Sequence, residues 1–291
     1  MRRQGLGINI FATLSNSWKL FTSSLRFFLK NKDLILLPVF SLLLMGATLL
    51  LAFGCYKNFS FNNISQHTFL FYLLIVFLFF FTLIFINTFF NAALIACATH
   101  RMQNKKDKLT HGLKHASQRL PQLLILAVIN TIVGAIVTVL ENIHSRIADF
   151  IGSVFGFAWS ASTYLVLPAM VIDNIAAFPA IKRGIRFFGR NFIRVLGIYG
   201  LFAIIFAIIA AIIAFAIHAS PVLILAQLNP AEMYSMIILA AVFIATFWST
   251  ASSVNAIAQS ALYLRMIKQE TLKDFDNTVL NKVYVNLNKT N

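Results

Sequence analysis

The chain has 291 residues; 59% are hydrophobic, 11% are charged, 30 are Phe, and the net charge is +15. A water-soluble domain of this length cannot bury so much apolar surface, whereas a membrane-embedded one need not. The positive charge raises nucleic acid as a partner. Its placement beside apolar runs assigns it instead to membrane topology and to anionic headgroups.

The first segment, residues 8–29, is amphipathic. Phe11, Leu14, Trp18, Phe21, Leu25 and Phe28 alternate steps of three and four, which predicts one helical stripe, with Lys19, Ser23, Arg26 and Lys30 opposite. Six apolar runs follow: Leu34–Phe53, Phe69–Thr99, Leu123–Leu140, Ile151–Ile172, Phe192–Ile217 and Tyr234–Leu264. Each is long enough to cross ~30 Å of hydrocarbon as a helix, and none carries a charge in its middle. The second and sixth exceed the need and are expected to tilt or project. No compact leader with a cleavage site precedes them, so the first span is expected to be retained.

Cations collect in alternate connections. Arg2, Arg3, Lys19, Arg26, Lys30 and Lys32 precede the first run, and Arg101, Lys105, Lys106, Lys108, Lys114 and Arg119 separate the second from the third. Lys182, Arg183, Arg186, Arg190 and Arg194 separate the fourth from the fifth, and Arg265, Lys268, Lys273, Lys282 and Lys289 follow the sixth. Only Lys57 and Arg146 fall in the other loops. This asymmetry predicts an all-α bundle of six transmembrane helices with both termini cytoplasmic. Residues 1–265 read as a single transmembrane domain and 266–291 as a cytoplasmic tail.

Three amphipathic interfacial helices are expected on that same side, at residues 8–29, 109–119 and 177–191. In the third, Ile181, Ile185, Phe188 and Phe192 form an apolar face among the five cations. Such a helix lies along a membrane surface with its basic face toward anionic headgroups. The candidate lipid contacts are Lys182, Arg183, Arg186, Arg190, Arg26, Lys30 and Lys114. The three segments share a pattern: Ser24-Leu25-Arg26, Gly112-Leu113-Lys114 and Gly184-Ile185-Arg186 each run small, aliphatic, cationic. Each leads into a hairpin of two spans. The chain therefore reads as three copies of one unit, all entering from one side, or as three ordinary basic-to-apolar junctions.

Several stretches carry a resemblance. Phe89-Phe90-Asn91-Ala92-Ala93-Leu94, Gly112-Leu113, Leu167-Pro168, Val171-Ile172-Asp173 and Ala180-Ile181-Lys182-Arg183 stand in the order and spacing of a known family. The chain resembles a bacterial family of six-span membrane proteins, domain-of-unknown-function family 6159. Asp173 stands where that family usually has Glu, and Ala176-Ala177 where it has Gly-Pro. The resemblance implies a fold and no activity.

No catalytic, cofactor-binding or metal-binding set is legible. Asp107, His111 and His115 follow the four-residue spacing of a helical zinc site. The surrounding lysines repel a cation, and a solvated basic face is expected instead. Asn87 with Asn91, and Asn255 with Gln259, lie one turn apart in the second and sixth runs, the latter pair in line with Trp248 and Ser252. Amides in hydrocarbon must find partners. They form either a polar seam that meets a solute or hydrogen bonds between helices. Gly152 and Gly156, and Ala203, Ala207 and Ala211, make small-residue faces suited to packing within the bundle or between copies. Asp173, at the exit of the fourth run, is expected to pair with Lys182, to cap the basic helix or to hold a headgroup amine. Cys55 and Cys97 should stand a membrane apart and read as ordinary apolar residues.

The expected function is that of a non-enzymatic protein of the bacterial inner membrane. Its basic collar would bind anionic lipid or a cytoplasmic partner, in scaffold fashion. The alternative is a transporter or channel for a neutral or hydrophobic solute, since no ionisable group lies within a span. A water-filled vestibule between the second and sixth spans would favour the alternative.

Overall fold

Helix is the only regular structure among the described residues, and its interruptions follow backbone chemistry. The computed structural model describes residues 10–58, 66–105, 108–143, 146–189 and 230–283, with side chains over 15–54, 70–105, 108–143, 146–189 and 242–281. The helices are α1 (Ile10–Lys30), α2 (Leu36–Asn58), α3 (Gln66–Met102), α4 (Leu109–Gln118), α5 (Leu120–Asn142), α6 (Arg146–Thr163) and α7 (Val166–Ile172). Helical residues 177–189 form α8, followed by α9 (Pro230–Met266) and α10 (Asn277–Val283). The fifth apolar run, 192–217, lies outside the described residues.

Four described segments are long and apolar enough to cross a membrane: Lys32–Gly54, Leu70–Met102, Leu120–Asn142 and Arg146–Ile172. They make this an all-helical membrane protein. The fourth, read in sequence as one run, is two helices. Pro168 has no N–H for the Tyr164 carbonyl four residues back, and its ring crowds that oxygen. The chain therefore turns at Tyr164, whose N–H bonds Ala161 O at 3.4 Å, and α7 restarts beyond it. At the start of α5 and of α9 proline sits where a missing N–H is harmless.

The helix α3 is the hub, packing on α2, α4, α5, α7 and α9. Its run from Ala92 to Ala98 is buried, as are Ala256, Ile257, Ala258 and Ala261 of α9. Alanine on both sides lets backbones approach closely, which substitutes for hydrophobic drive where the surroundings are themselves oil. The core thus lies at the end of the bundle that carries α1, α4 and α8, called here the basic end. Toward the opposite end Leu50, Leu51, Leu70, Phe71, Ile147 and Phe150 are exposed. In water such a surface would aggregate; against lipid it is at rest.

Small residues also decide how the amphipathic helices dock. A β-carbon on Gly112 would lie 2.3 Å from Cys97 Sγ and 2.5 Å from Ala93 O, so α4 rides directly on the α3 backbone. A β-carbon on Gly184 would lie 2.2 Å from Ser162 O and 3.1 Å from Val166 Cγ2, so α8 rides on the α6–α7 turn. Ser24 is fully buried on α1, which packs against α9. Each amphipathic helix therefore docks on a helix that ends at the basic end: α4 on α3, α8 on the α6–α7 pair, and α1 on α9. In all three units the small residue is buried, while the cations Arg26, Lys114 and Arg186 are exposed.

This docking corrects the stripes expected from sequence. On α1 the buried positions are Ser17, Leu20, Ser24, Phe27 and Phe28, whereas Trp18 is 51% exposed. On α8 they are Ala177, Ala180, Ile181, Gly184 and Phe187, whereas Ile185 faces out. Both helices are rotated toward their small residues. Gly152 and Gly156 likewise pack within the bundle, with a β-carbon at either meeting Leu140 and Glu141, or Val137, of α5 at 3.0–3.2 Å.

The returning spans also end alike. Asn104, Asn174 and Gln269, at φ 61°, 60° and 58°, are the left-handed non-glycine residues among those described. They follow α3, α7 and α9 respectively, where a left-handed residue stops a helix and turns its last carbonyls to new donors. Lys105 N, for example, bonds His100 O at 2.9 Å.

Candidate functional site: a polar cavity inside the bundle

A cavity of about 600 Å³ opens between α3, α5, α6, α7 and α9. The amides of Asn87 and Asn91 reach it from α3, Asn130 from α5, and Asn255 and Gln259 from α9. Amides are here because apolar helices tolerate them only where a partner or water waits. Asn91 Nδ2 donates to Asn87 Oδ1 at 3.1 Å and to Ser252 Oγ at 3.0 Å, bridging α3 to α9. The Tyr164 hydroxyl donates to Asn255 Oδ1 at 3.2 Å, and Trp159 Nε1 donates to Asn130 Oδ1 at 3.1 Å. Gln259 makes no hydrogen bond among the described residues. Interhelical bonds and a polar cavity lining therefore coexist: each amide keeps donors or acceptors to spare.

No acidic or basic side chain lines the cavity among the described residues. Gly134, Thr138 and Ser160 of its lining are exposed. One helical turn nearer the basic end than the lining residues Leu126, Leu167 and Gln259, the side chains of Leu123, Met170 and Tyr263 are fully buried.

Beneath that layer lies a charged knot. Asp173 follows α7 and accepts hydrogen bonds on Oδ2 from Arg183 of α8 and from the Tyr263 hydroxyl of α9. Arg183 also donates to the Tyr263 oxygen at 2.7 Å, and the Lys268 ammonium lies 2.7 Å from Asp173 Oδ1. Burial pushes the Asp173 carboxyl up, but Lys268, Tyr263 and Arg183 together outweigh it and hold the group below the usual carboxylate range. Arg183, not the expected Lys182, is its α8 partner. A second tie joins Arg101 to both oxygens of Asp33 and to Asn31 Oδ1, the latter at 3.1 Å.

The histidines behave differently from the sequence expectation of a solvated face. Gly112 draws α4 so close to α3 that the His111 ring lies 4.5 Å from that of His100, with His115 at 6.4 Å from His111. Burial, then the nearby charge of Arg119, lowers the His115 pKa from its ordinary value. Thr99, His100, His115, Lys268 and Glu270 border a second cavity of about 250 Å³, which neither Asp173 nor His111 lines. No metal-binding trio occurs among the described residues, and Asp107 lies outside them.

The sequence pattern of a family of unknown function, DUF6159, matches residues 70–271, which hold the cavity and the knot. The chain belongs to that family. Among curated proteins and among solved structures nothing matches the chain. Membership in DUF6159 brings no activity with it, so the chemistry of the site has to carry the functional reading.

The four seam residues named from sequence, Asn87, Asn91, Asn255 and Gln259, come together on one cavity of this DUF6159 chain. Asn130, Trp159 and Tyr164 went unread. Asn130 offered the same signal, a lone amide in an apolar run, while Trp159 and Tyr164 passed for ordinary aromatic residues. The candidate lipid contacts divide. Lys182, Arg186, Arg26 and Lys114 are exposed, Arg183 is committed to Asp173, and Lys30 pairs with Asp274 at 2.7 Å. Arg190 lies outside the described residues.

Proposed function

We propose that this is a six-span transporter of a neutral, hydrogen-bonding solute, seated in a bacterial inner membrane with its basic end and both termini cytoplasmic. The observation that carries the reading is the cavity of about 600 Å³ lined with amides and hydroxyls, with no acidic or basic side chain among the described residues that line it. Its uncharged lining suits hydroxyl or amide groups and gives an ion nothing to pair with. The activity is non-covalent and needs no cofactor. The test is stopped-flow swelling of proteoliposomes in glycerol and in acetamide. The protein should speed entry over empty vesicles, and the double replacement Asn91→Leu with Asn255→Leu should remove about nine-tenths of the gain, the loss of two or three hydrogen bonds. Swelling equal to that of empty vesicles in both solutes would refute the reading.

A second reading rests on a separate observation. The outward side of α8 carries Phe178 and Ile185, 67% and 51% exposed, beside the exposed Lys182 and Arg186. Apolar and cationic groups side by side fit the boundary between acyl chain and anionic headgroup. In this role the collar holds anionic lipid and shapes the surrounding membrane as a scaffold.

A further inference from the structure

We propose that Asp173 latches the basic-end mouth of the cavity shut, with Tyr263 as the plug. The inference rests on the solute reading and adds to it how the site is regulated. Ser252, Asn255 and Gln259 put their polar groups on the cavity, and Tyr263 follows Gln259 by one turn. The polar stripe of α9 therefore continues out of the cavity toward the basic end, and Tyr263 is where it is interrupted. Leu123 and Met170 complete the layer, one turn beyond the lining residues Leu126 and Leu167.

The tyrosine is held by groups from separate elements. Its hydroxyl donates to Asp173, past the end of α7, and accepts from Arg183 on α8. Lys268, past the end of α9, closes the knot on the other carboxylate oxygen. The knot is asymmetric. The Asp173 side chain is 10% exposed, whereas those of Arg183 and Lys268 are 43% and 41% exposed. The carboxylate is the fixed pin, and water can reach the two cations that hold α8 and α9 against it. Neutralising the pin weakens its hold on Arg183, on Lys268 and on the Tyr263 hydroxyl together, which frees Tyr263 to swing aside and opens a path from Gln259 to the basic end. Gly134, Thr138 and Ser160, farther from the basic end, are exposed, and on this proposal the latch holds the state closed at the basic end.

The test uses the full chain with Cys55→Ser and Cys97→Ala, carrying Thr163→Cys as a reporter on the cavity wall. Thr163 bonds only carbonyls of its own helix, so the reporter disturbs little. In oriented proteoliposomes a charged methanethiosulfonate reagent is applied from one side at a time. Labelling should be slow from the basic end and faster from the opposite side. Asp173→Asn should raise the basic-end rate about tenfold and leave the other rate within about twofold, as removing a charge-assisted bond from a two-state latch requires. If Asp173→Asn fails to fold, Tyr263→Phe, which removes one hydroxyl from a packed ring, should give a smaller rise in the same direction. An unchanged basic-end rate in whichever variant folds, or a fast basic-end rate already in the parent, overturns the latch. A reporter that labels from neither side overturns both latch and cavity. A latch response without solute-dependent swelling overturns the solute reading alone.

Discussion

At Gly112 a single missing methyl group sets the distance between two helices. Any β-carbon there would strike Cys97 Sγ and the Ala93 carbonyl, and the latter is backbone that cannot step aside. Gly112→Ala should therefore destabilise the protein by about 1–3 kcal/mol, the usual range for overpacking, despite the better helix propensity of alanine. Gly46 of α2 has nothing within 4 Å of the same position, so Gly46→Ala should be neutral or slightly stabilising. Thermal unfolding in detergent compares the two, and equal midpoints would contradict the close approach. Some of this was legible in sequence. The small-aliphatic-cationic triplets marked the residues that dock, and unpaired amides in apolar runs marked the cavity. The ties among Asp33, Arg101, Asp173, Arg183 and Lys268 were not legible, because their partners lie on different helices and share no spacing.

For an amphipathic helix the question is which side turns inward. A stripe drawn through the bulkiest apolar residues selects Trp18 on α1 and Ile185 on α8, and both point outward. That rule assumes water on one side and a core on the other. Here the outside is lipid, so a large apolar group loses nothing by facing it, and close backbone approach decides the orientation. The kink at Tyr164 was readable from Pro168, yet composition alone ran α6 and α7 together. The outward face of α8 yields its own prediction. Replacing Lys182 and Arg186 by Gln should lower retention of anionic lipid by about tenfold at low salt, with a smaller difference at high salt. Lipid mass spectrometry of the gently purified protein measures this. Unchanged retention with unchanged topology would remove the lipid reading.

On the scale of the molecule, helix content and membrane-length segments followed from composition and run length. Which helix packs on which did not. The docking of α1 on α9 and on the segment that follows it is the clearest case, since no local signal links stretches so far apart. Lys30 and Asp274 meet at 2.7 Å although 244 residues separate them, and the rings of Phe27 and Phe275 lie 5.8 Å apart. In a background without Cys55 and Cys97, the pair Lys30→Cys and Asp274→Cys should be joined by a short bis-maleimide, giving a cyclised chain that migrates anomalously on a denaturing gel. Failure of the folded protein to cyclise would refute this docking.

That contact has a consequence for how the protein is made. The helix α4 emerges from the ribosome just after the α3 surface it rides on, and α8 just after the α6–α7 turn, so both find their seats at once. The helix α1 is translated ahead of α4 and α8, and its seat on α9 is translated about 200 residues later. Until then the face holding Ser17, Leu20 and Ser24 has only lipid headgroups or an insertion chaperone to rest on. Quality control of the nascent chain has a natural checkpoint there, because a polypeptide that stalls before α9 leaves its opening helix unseated.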